Sequence, residues 1–262
     1  VGLWVTKGMQ NLNPIISLTR VTALKTIEDR PVQIHFGAMV SLATVYKHLG
    51  ALHPHIAELL RRFGSEQIRN SGTIGGNIAN GSPIGDLAPL LIAMGATITL
   101  RSSGATRIVP VEAFFIDYKI QDRRTSEFIE SIAVPKLAED EILHVSKISK
   151  RFDEDISTIC GAFWLKLSEN SIVSARVAFG GMAAIPKRSR AAEAELIGTV
   201  WSQETANKAA NALESDLIPL TDMRASKSYR SAVAANLLRR FAVESLTPSV
   251  PARVTAIGGH HG

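Results

Sequence analysis

Residues 64–86 constrain this chain more than any other stretch. They carry glycines at positions 64, 72, 75, 76, 81 and 85, with a small hydroxyl or amide side chain beside nearly every one. Glycine inside a helix or strand costs roughly 0.5–1 kcal/mol relative to alanine, so the spacing predicts a loop rather than a regular element. Glycines also let main-chain amides come within hydrogen-bonding distance of a ligand, and successive amides in a turn form a positively polarised nest that suits phosphate or pyrophosphate. Composition alone leaves a plain surface loop as the other reading. The neighbouring side chains add donors at Thr73, Asn77, Asn80 and Ser82, and Asp86 can accept from sugar or polyol hydroxyls. A polyol diphosphate suits that set. Two nucleotide motifs are excluded. The frame from Gly76 to Gly81 is followed by Ser82 where a Walker loop needs lysine, and the fingerprint Gly-x-Gly-x-x-Gly with its βαβ unit is missing.

The flanks read as an α+β chain. Residues 33–36 form a strand stopped by Gly37, and Ser41 caps a helix with Leu42, Val45, Tyr46 and Leu49 on one face. Ile56, Leu59, Leu60 and Phe63 share the face of a second helix, with Arg61 and Arg62 off it. Asp86 is placed as the cap of a helix over 87–94, followed by a hairpin over 96–111 and a strand over 131–134. The polar stretch 136–141 is the expected boundary, giving units at 1–141 and 142–246. In the second unit, antiparallel strands over 162–167 and 172–179 precede helices over 188–197, 202–215 and 226–246. Residues 247–262 show no periodicity and are expected to form a tail.

Composition narrows the setting. With 262 residues and 45% apolar content the chain can bury a substantial core, and its richest apolar stretch, 87–96, is too short for a membrane span. The net charge of +5 is too dispersed to argue nucleic acid. A single cysteine, Cys160, rules out an intrachain disulfide framework or an iron–sulfur site built from this chain alone, and fits a cytoplasmic setting. Cys160 is expected to be a buried, inert thiol. No metal site is expected: His53-Pro54-His55 and His260-His261 have no carboxylate or cysteine partners at ligand spacing. Arg230, Arg239 and Arg240 are read as a solvated or subunit-facing side of the last helix.

The stretch Arg69-Asn70-Ser71-Gly72-Thr73-Ile74-Gly75-Gly76-Asn77-Ile78-Ala79-Asn80-Gly81-Ser82-Pro83-Ile84-Gly85-Asp86 resembles the second FAD-binding loop of the flavoproteins in the molybdenum hydroxylase family, most nearly the small subunits of bacterial xanthine dehydrogenases. The resemblance runs from Val1 to about Leu246. It implies an FAD-binding α+β domain of the p-cresol methylhydroxylase type, followed by a smaller α+β domain of the carbon monoxide dehydrogenase flavoprotein C-terminal type. Carried over by position, it places Thr73, Ile74, Gly75, Gly76 and Asn77 at the FAD pyrophosphate, and Asn80, Ser82 and Asp86 near the ribityl or ribose. Phe63 is similar to an aromatic that stacks on the cofactor. Ile129 or Glu130 falls where a family leucine touches the flavin. Lys147 matches a lysine at the flavin pyrimidine edge, where a cation stabilises negative charge on the reduced ring.

The implied function is flavin electron transfer in a molybdenum hydroxylase of xanthine dehydrogenase type, within purine catabolism, from iron–sulfur clusters through FAD to NAD+. The iron–sulfur and molybdopterin centres belong to other domains or chains, and neither nucleic acid nor membrane is a partner. In relatives the opening Val-Gly-Leu-Trp-Val-Thr-Lys follows a Gly-Gly-Thr-Asp type phosphate loop, which is not in this sequence. Two charge-assisted hydrogen bonds from such a loop amount to about 3–6 kcal/mol, so FAD is expected to be weakened or absent. The alternative is a non-catalytic interaction or scaffold fragment that keeps the fold without FAD.

Overall fold

The computed structural model describes residues 5–249; the His260-His261 pair and all but the first residues of the expected tail lie outside that range. The first half is built on a five-stranded antiparallel sheet. Its strands are β1 (Ile27–Asp29), β2 (Gln33–Gly37), β3 (Thr97–Arg101), β4 (Thr106–Pro110) and, after a small hairpin of β5 (Phe115–Asp117) and β6 (Ile120–Gln121), β7 (Phe128–Pro135). The order is β1-β2-β7-β3-β4. Along β2, Ile34 and Phe36 point into the core while Gln33 and His35 are half-buried, the period-two pattern of a strand covered on one face. Five helices pack around it: α1 (Leu42–Gly50), α2 (Pro54–Arg61), α3 (Glu66–Ser71), α4 (Ile74–Asn80) and α5 (Leu87–Ala93). A short sixth, α6 (Val111–Phe114), follows β4.

The second half is a four-stranded antiparallel sheet, ordered β11-β10-β9-β8, of β8 (Glu141–Ile148), β9 (Ile159–Ser168), β10 (Ser171–Gly180) and β11 (Lys187–Arg188). Glu169 and Asn170 join β9 to β10 with φ of 49° and 68°, the left-handed pair that matches strand twist in a two-residue hairpin. Helices α7 (Arg190–Leu196), α8 (Gln203–Ala212) and α9 (Lys227–Leu246) cover one face. This sheet is shared by two cores. Val145, Cys160, Ala162 and Trp164 face the first half and α5, while Phe163, Leu165, Val177 and Phe179 face the helices. Every residue of α5 is buried, as a helix apolar on all sides requires. Among the described residues no helix is long and apolar enough to cross a membrane.

The sequence misplaces several features. Residues 66–71 and 74–80 are helical, not loop. Ser65 and Thr73 cap the two starts by accepting from the amides of Ile68 and Gly76, and Gly81 ends α4 with a φ of 60°. Ile74 and Ile78, one turn apart, bury completely and anchor α4. Gly75 is needed for packing: a Cβ there would lie 2.5 Å from the Ala38 Cβ and 2.8 Å from the Ala38 carbonyl oxygen. Strand β8 is absent from the pattern reading because residues 142–147 carry two sets of neighbours, one per core. On α9, Tyr229 is 49% exposed although its spacing places it on the apolar face, and Arg230, read as solvated or subunit-facing, is buried within the chain. Its guanidinium donates to the Thr158 and Gly181 carbonyls and to Asp222.

Two outcomes follow from this packing. Gly75→Val should force α4 off the β2–α1 connection and lower the unfolding midpoint in denaturant, with Gly104→Val, where a Cβ meets nothing, as the neutral control. The second concerns acid. Arg107 clamps Glu127 with paired 2.8 Å hydrogen bonds and also binds Asp122. The Arg107 guanidinium, with the Arg124 amide, holds the Glu127 carboxyl down at about 2 from 4.5. A folded-state pKa below the unfolded one gives stability present above 4.5 and lost as pH falls towards 2. The gap in melting temperature between the chain and Arg107→Ala should therefore close over that window.

Candidate functional site

A cavity of about 280 Å³ opens between the end of α2, the C-terminal half of α4, the 82–86 turn and the connection from β8 to β9. Phe63, Asn77, Asn80, Ser82, Asp86 and Lys147 line it, so the fold gathers these expected contacts from across 85 residues of sequence. Ile68, Ile84 and residues 154–157 complete the wall. Thr73, Ile74, Gly75, Gly76 and Ile129 do not line it. Ile74 is core, and Ile129 is buried in β7 opposite Leu100. Glu130 is ion-paired with Arg101 at 2.5 Å.

The bare-amide nest expected over 72–85 is corrected by the structure. Ile74 and Gly75 donate to the Val40 and Ala38 carbonyls at 3.0 and 2.9 Å. Gly76 donates to the Thr73 hydroxyl at 3.1 Å and Asn77 to the Thr73 carbonyl at 2.9 Å. A helix start leaves its first amides without intrahelical acceptors, and here the cap and the β2–α1 connection supply them. Side-chain donors among the lining residues are the carboxamides of Asn77 and Asn80 and the Ser82 hydroxyl, whose oxygen also accepts from the Ile84 amide.

Lys147 and Asp86 form the polar floor. Lys147 sits on β8 with its side chain 2% exposed, and its ammonium donates to Asp86 Oδ2 at 2.7 Å, the Asp155 carbonyl at 2.7 Å and the Arg62 carbonyl at 3.2 Å. Three protons meet three acceptors. The second Asp86 oxygen accepts from the Ser157 hydroxyl. Asp86 does stand at the start of α5, but its carboxylate makes no cap bond there, because the buried cation claims it. Cys160 lies below with its thiol directed at the Asp86 carbonyl, 3.7 Å away. Burial, and then the Asp86 charge, pushes this thiol far up, so it stays protonated and inert.

Sequence reasoning missed Arg62. Placed off the apolar face of its helix, it is nonetheless 9% exposed and donates to the Phe152 and Lys147 carbonyls at 2.9 and 3.0 Å and to Ser149 Oγ at 3.2 Å. Its guanidinium also lies over the Phe152 ring, 4.9 Å from the centroid. It thereby fastens the β8–β9 connection over the cavity. Within that connection the Asp155 carboxylate accepts from the Arg151 and Ile156 amides, and the Arg151 bond leads in holding its pKa below the ordinary value. The spacing gives His55 no carboxylate partner, but the fold does: Glu244 and His144 stand beside it.

Comparison with known proteins places this architecture. Residues 1–137 match the model of the FAD binding domain in molybdopterin dehydrogenase, and residues 144–245 match the CO dehydrogenase flavoprotein C-terminal domain. The chain is 36% identical over 179 residues to a xanthine dehydrogenase of Dictyostelium discoideum, covering 62% of this chain and 13% of that protein. It is 28% identical over 232 residues to the carbon monoxide dehydrogenase medium chain of Hydrogenophaga pseudoflava, covering 86% of this chain and 79% of the relative. The chain thus spans about one eighth of the length of that xanthine dehydrogenase and most of the medium chain. A solved structure of the Hydrogenophaga pseudoflava carbon monoxide dehydrogenase superposes with a TM-score of 0.79 at 28% identity, over 85% of this chain and 78% of the other. Quinoline 2-oxidoreductase from Pseudomonas putida, at 23% identity and a TM-score of 0.75, shares the fold. With the first model covering more than half of its residues, the chain belongs to the family of FAD-binding domains of molybdopterin dehydrogenases.

Proposed function

We propose that this chain is the flavin electron-transfer module of a molybdenum hydroxylase of xanthine dehydrogenase type. In this reading it takes electrons from iron–sulfur clusters and passes them to NAD+ in the cytoplasm, while a purine is oxidised at a molybdopterin centre on another domain or chain. The identity to xanthine dehydrogenases supports the purine assignment, and the carbon monoxide dehydrogenase medium chain is the relative that competes with it. The observation that carries the proposal is the cavity gathering Phe63, Asn77, Asn80, Ser82, Asp86 and Lys147.

The donor set suits FAD in part. The cavity, near 280 Å³, is at the small end of ligand pockets and would take one portion of a dinucleotide rather than the whole. Two carboxamides and a hydroxyl can donate to phosphate or ribityl oxygens, and Phe63 offers an apolar ring at the rim. FAD, when bound, supplies the electron acceptance and delivery. The chain's own residues bind and orient. Asn77, Asn80 and Ser82 would hold the polyol and phosphate, and Phe63 would cover the ring from water. Lys147 contributes a fixed positive charge at the cavity wall, because its three protons are already engaged by protein oxygens. Asp86 and Ser157 keep that charge in place. The alternative scaffold reading draws on one observation, the prior pairing of the amides from Ile74 to Asn77.

Titration of the purified chain with FAD, followed by flavin fluorescence quenching, separates the two readings. Saturable binding is expected, weakened about 2- to 10-fold by Asn77→Ala or Ser82→Ala, as loss of one hydrogen bond dictates. No quenching by the chain would leave the scaffold reading. A second measurement tests the floor itself. Lys147→Met should destabilise the fold by about 3–5 kcal/mol by stranding the buried Asp86 carboxylate, and adding Asp86→Asn should recover much of that loss. Equal destabilisation by the single and double variants would show that the pair is not coupled as described.

A further inference from the structure

Away from the flavin cavity, on the other face of β8, two imidazoles and a carboxylate converge from three elements. His55 comes from the first turn of α2, His144 from β8 and Glu244 from the last turn of α9. His144 Nδ1 lies 3.0 Å from Glu244 Oε2, His55 Nε2 lies 3.8 Å from the same oxygen, and the three atoms all fall within 4.8 Å of one another. Ligand atoms around a tetrahedral zinc ion, with bonds near 2.0–2.2 Å, are about 3.3 Å apart, so shifts of about an ångström in two side chains would close the set. We propose that His55, His144 and Glu244 bind a divalent transition-metal ion of the zinc class, which staples α2 to β8 and α9 across the junction of the two halves.

The surroundings fit that role. His144 is fully buried, and its other nitrogen meets the Ser146 hydroxyl at 2.8 Å, the kind of partner that fixes a ligand ring. Arg240 holds the other Glu244 oxygen through Nε at 2.9 Å and donates to Ser146 Oγ at 3.2 Å, so Oε2 is the oxygen that stands beside both imidazoles. Glu244 and His55 keep 13% and 20% side-chain exposure, so a fourth position opens towards water. Ring protons oppose uptake, at His144 Nδ1 beside Glu244 Oε2 and again at His55. The Val145 amide donates to His55 Nδ1 at 3.3 Å, which puts the ring proton on Nε2. Metal ligation at Nε2 shifts that proton to Nδ1 at the expense of the Val145 bond, and because protons compete with the ion for both imidazoles, affinity rises with pH. Strand alternation separates this site from the cavity: His144 and Ser146 face the α9 side while Lys147 faces the other. The proposal therefore stands whether or not the flavin reading does.

The test uses the full chain carrying His260→Ala and His261→Ala, which removes the terminal pair as a competing ligand, after treatment with a chelator. Titration with Co2+ should show uptake of one equivalent with the visible absorption of a four- or five-coordinate ion, displaced by Zn2+ and tightening from about pH 6 to about pH 7.5. His55→Ala and Glu244→Gln, both at partly exposed positions, should abolish the cobalt signal with unchanged circular dichroism. Ser146→Ala should weaken uptake about 10- to 100-fold. Absence of stoichiometric uptake in the chain without the terminal histidines, or a cobalt spectrum unaltered in His55→Ala and Glu244→Gln, would overturn the proposal.

Discussion

The buried ion pair between Lys147 and Asp86 sets the geometry on which the site rests. Taking an ammonium and a carboxylate out of water is expensive, and the attraction between them offsets that cost only when the remaining protons and lone pairs are also satisfied. Here they are: Asp155 and Arg62 supply carbonyls to the lysine, and Ser157 supplies a hydroxyl to the aspartate. The groups in this network come from the end of α2, the turn before α5, strand β8 and the β9 end of the β8–β9 connection. One pair of charges therefore fixes the relative positions of four segments, and the cavity is the space they leave between them. Arg62 adds a second lock by binding carbonyls of the same connection.

The glycine-rich segment plays a different part from the one its composition suggests. Gly75 lets helix α4 close on the β2–α1 connection, and the amides at the start of that helix bond to this connection or to their own cap rather than stand open to a ligand. What faces the cavity is the polar side of that helix, Asn77 and Asn80, one turn past its tightly packed start. The motif thus marks one wall of the cavity, while the side chains around it supply the polar groups that line it.

Much of this was legible in the sequence, for identifiable reasons. Period-two strands, a serine cap at α1 and the places of the three helices in the second half are local signals, and each survives in the fold. The resemblance carried Phe63, Asn77, Asn80, Ser82, Asp86 and Lys147 to one place because it encodes position along a known architecture. Helix α4 was hidden because two isoleucines in a run of glycines and amides make too short a pattern to outweigh the propensity penalty. Arg62 was placed only as lying off the apolar face, because its carbonyl partners lie 85 and 90 residues away. The link from His55 to Glu244 was invisible for the same reason: nothing in His53-Pro54-His55 anticipates a carboxylate from the last turn of the last helix.

Helix α5 carries a consequence for how the molecule assembles. With all seven residues shielded, it has no polar side to present to water, and its cover comes from α4 and α6 of the first half on one flank and from β9, β10 and β11 on the other. Neither flank alone can solvate or shield such a segment. The halves are therefore interdependent as folding units: a ribosome-bound chain that has emerged only as far as β8 still displays an oily rod, which becomes sealed once the long central hairpin is synthesised and closes over it.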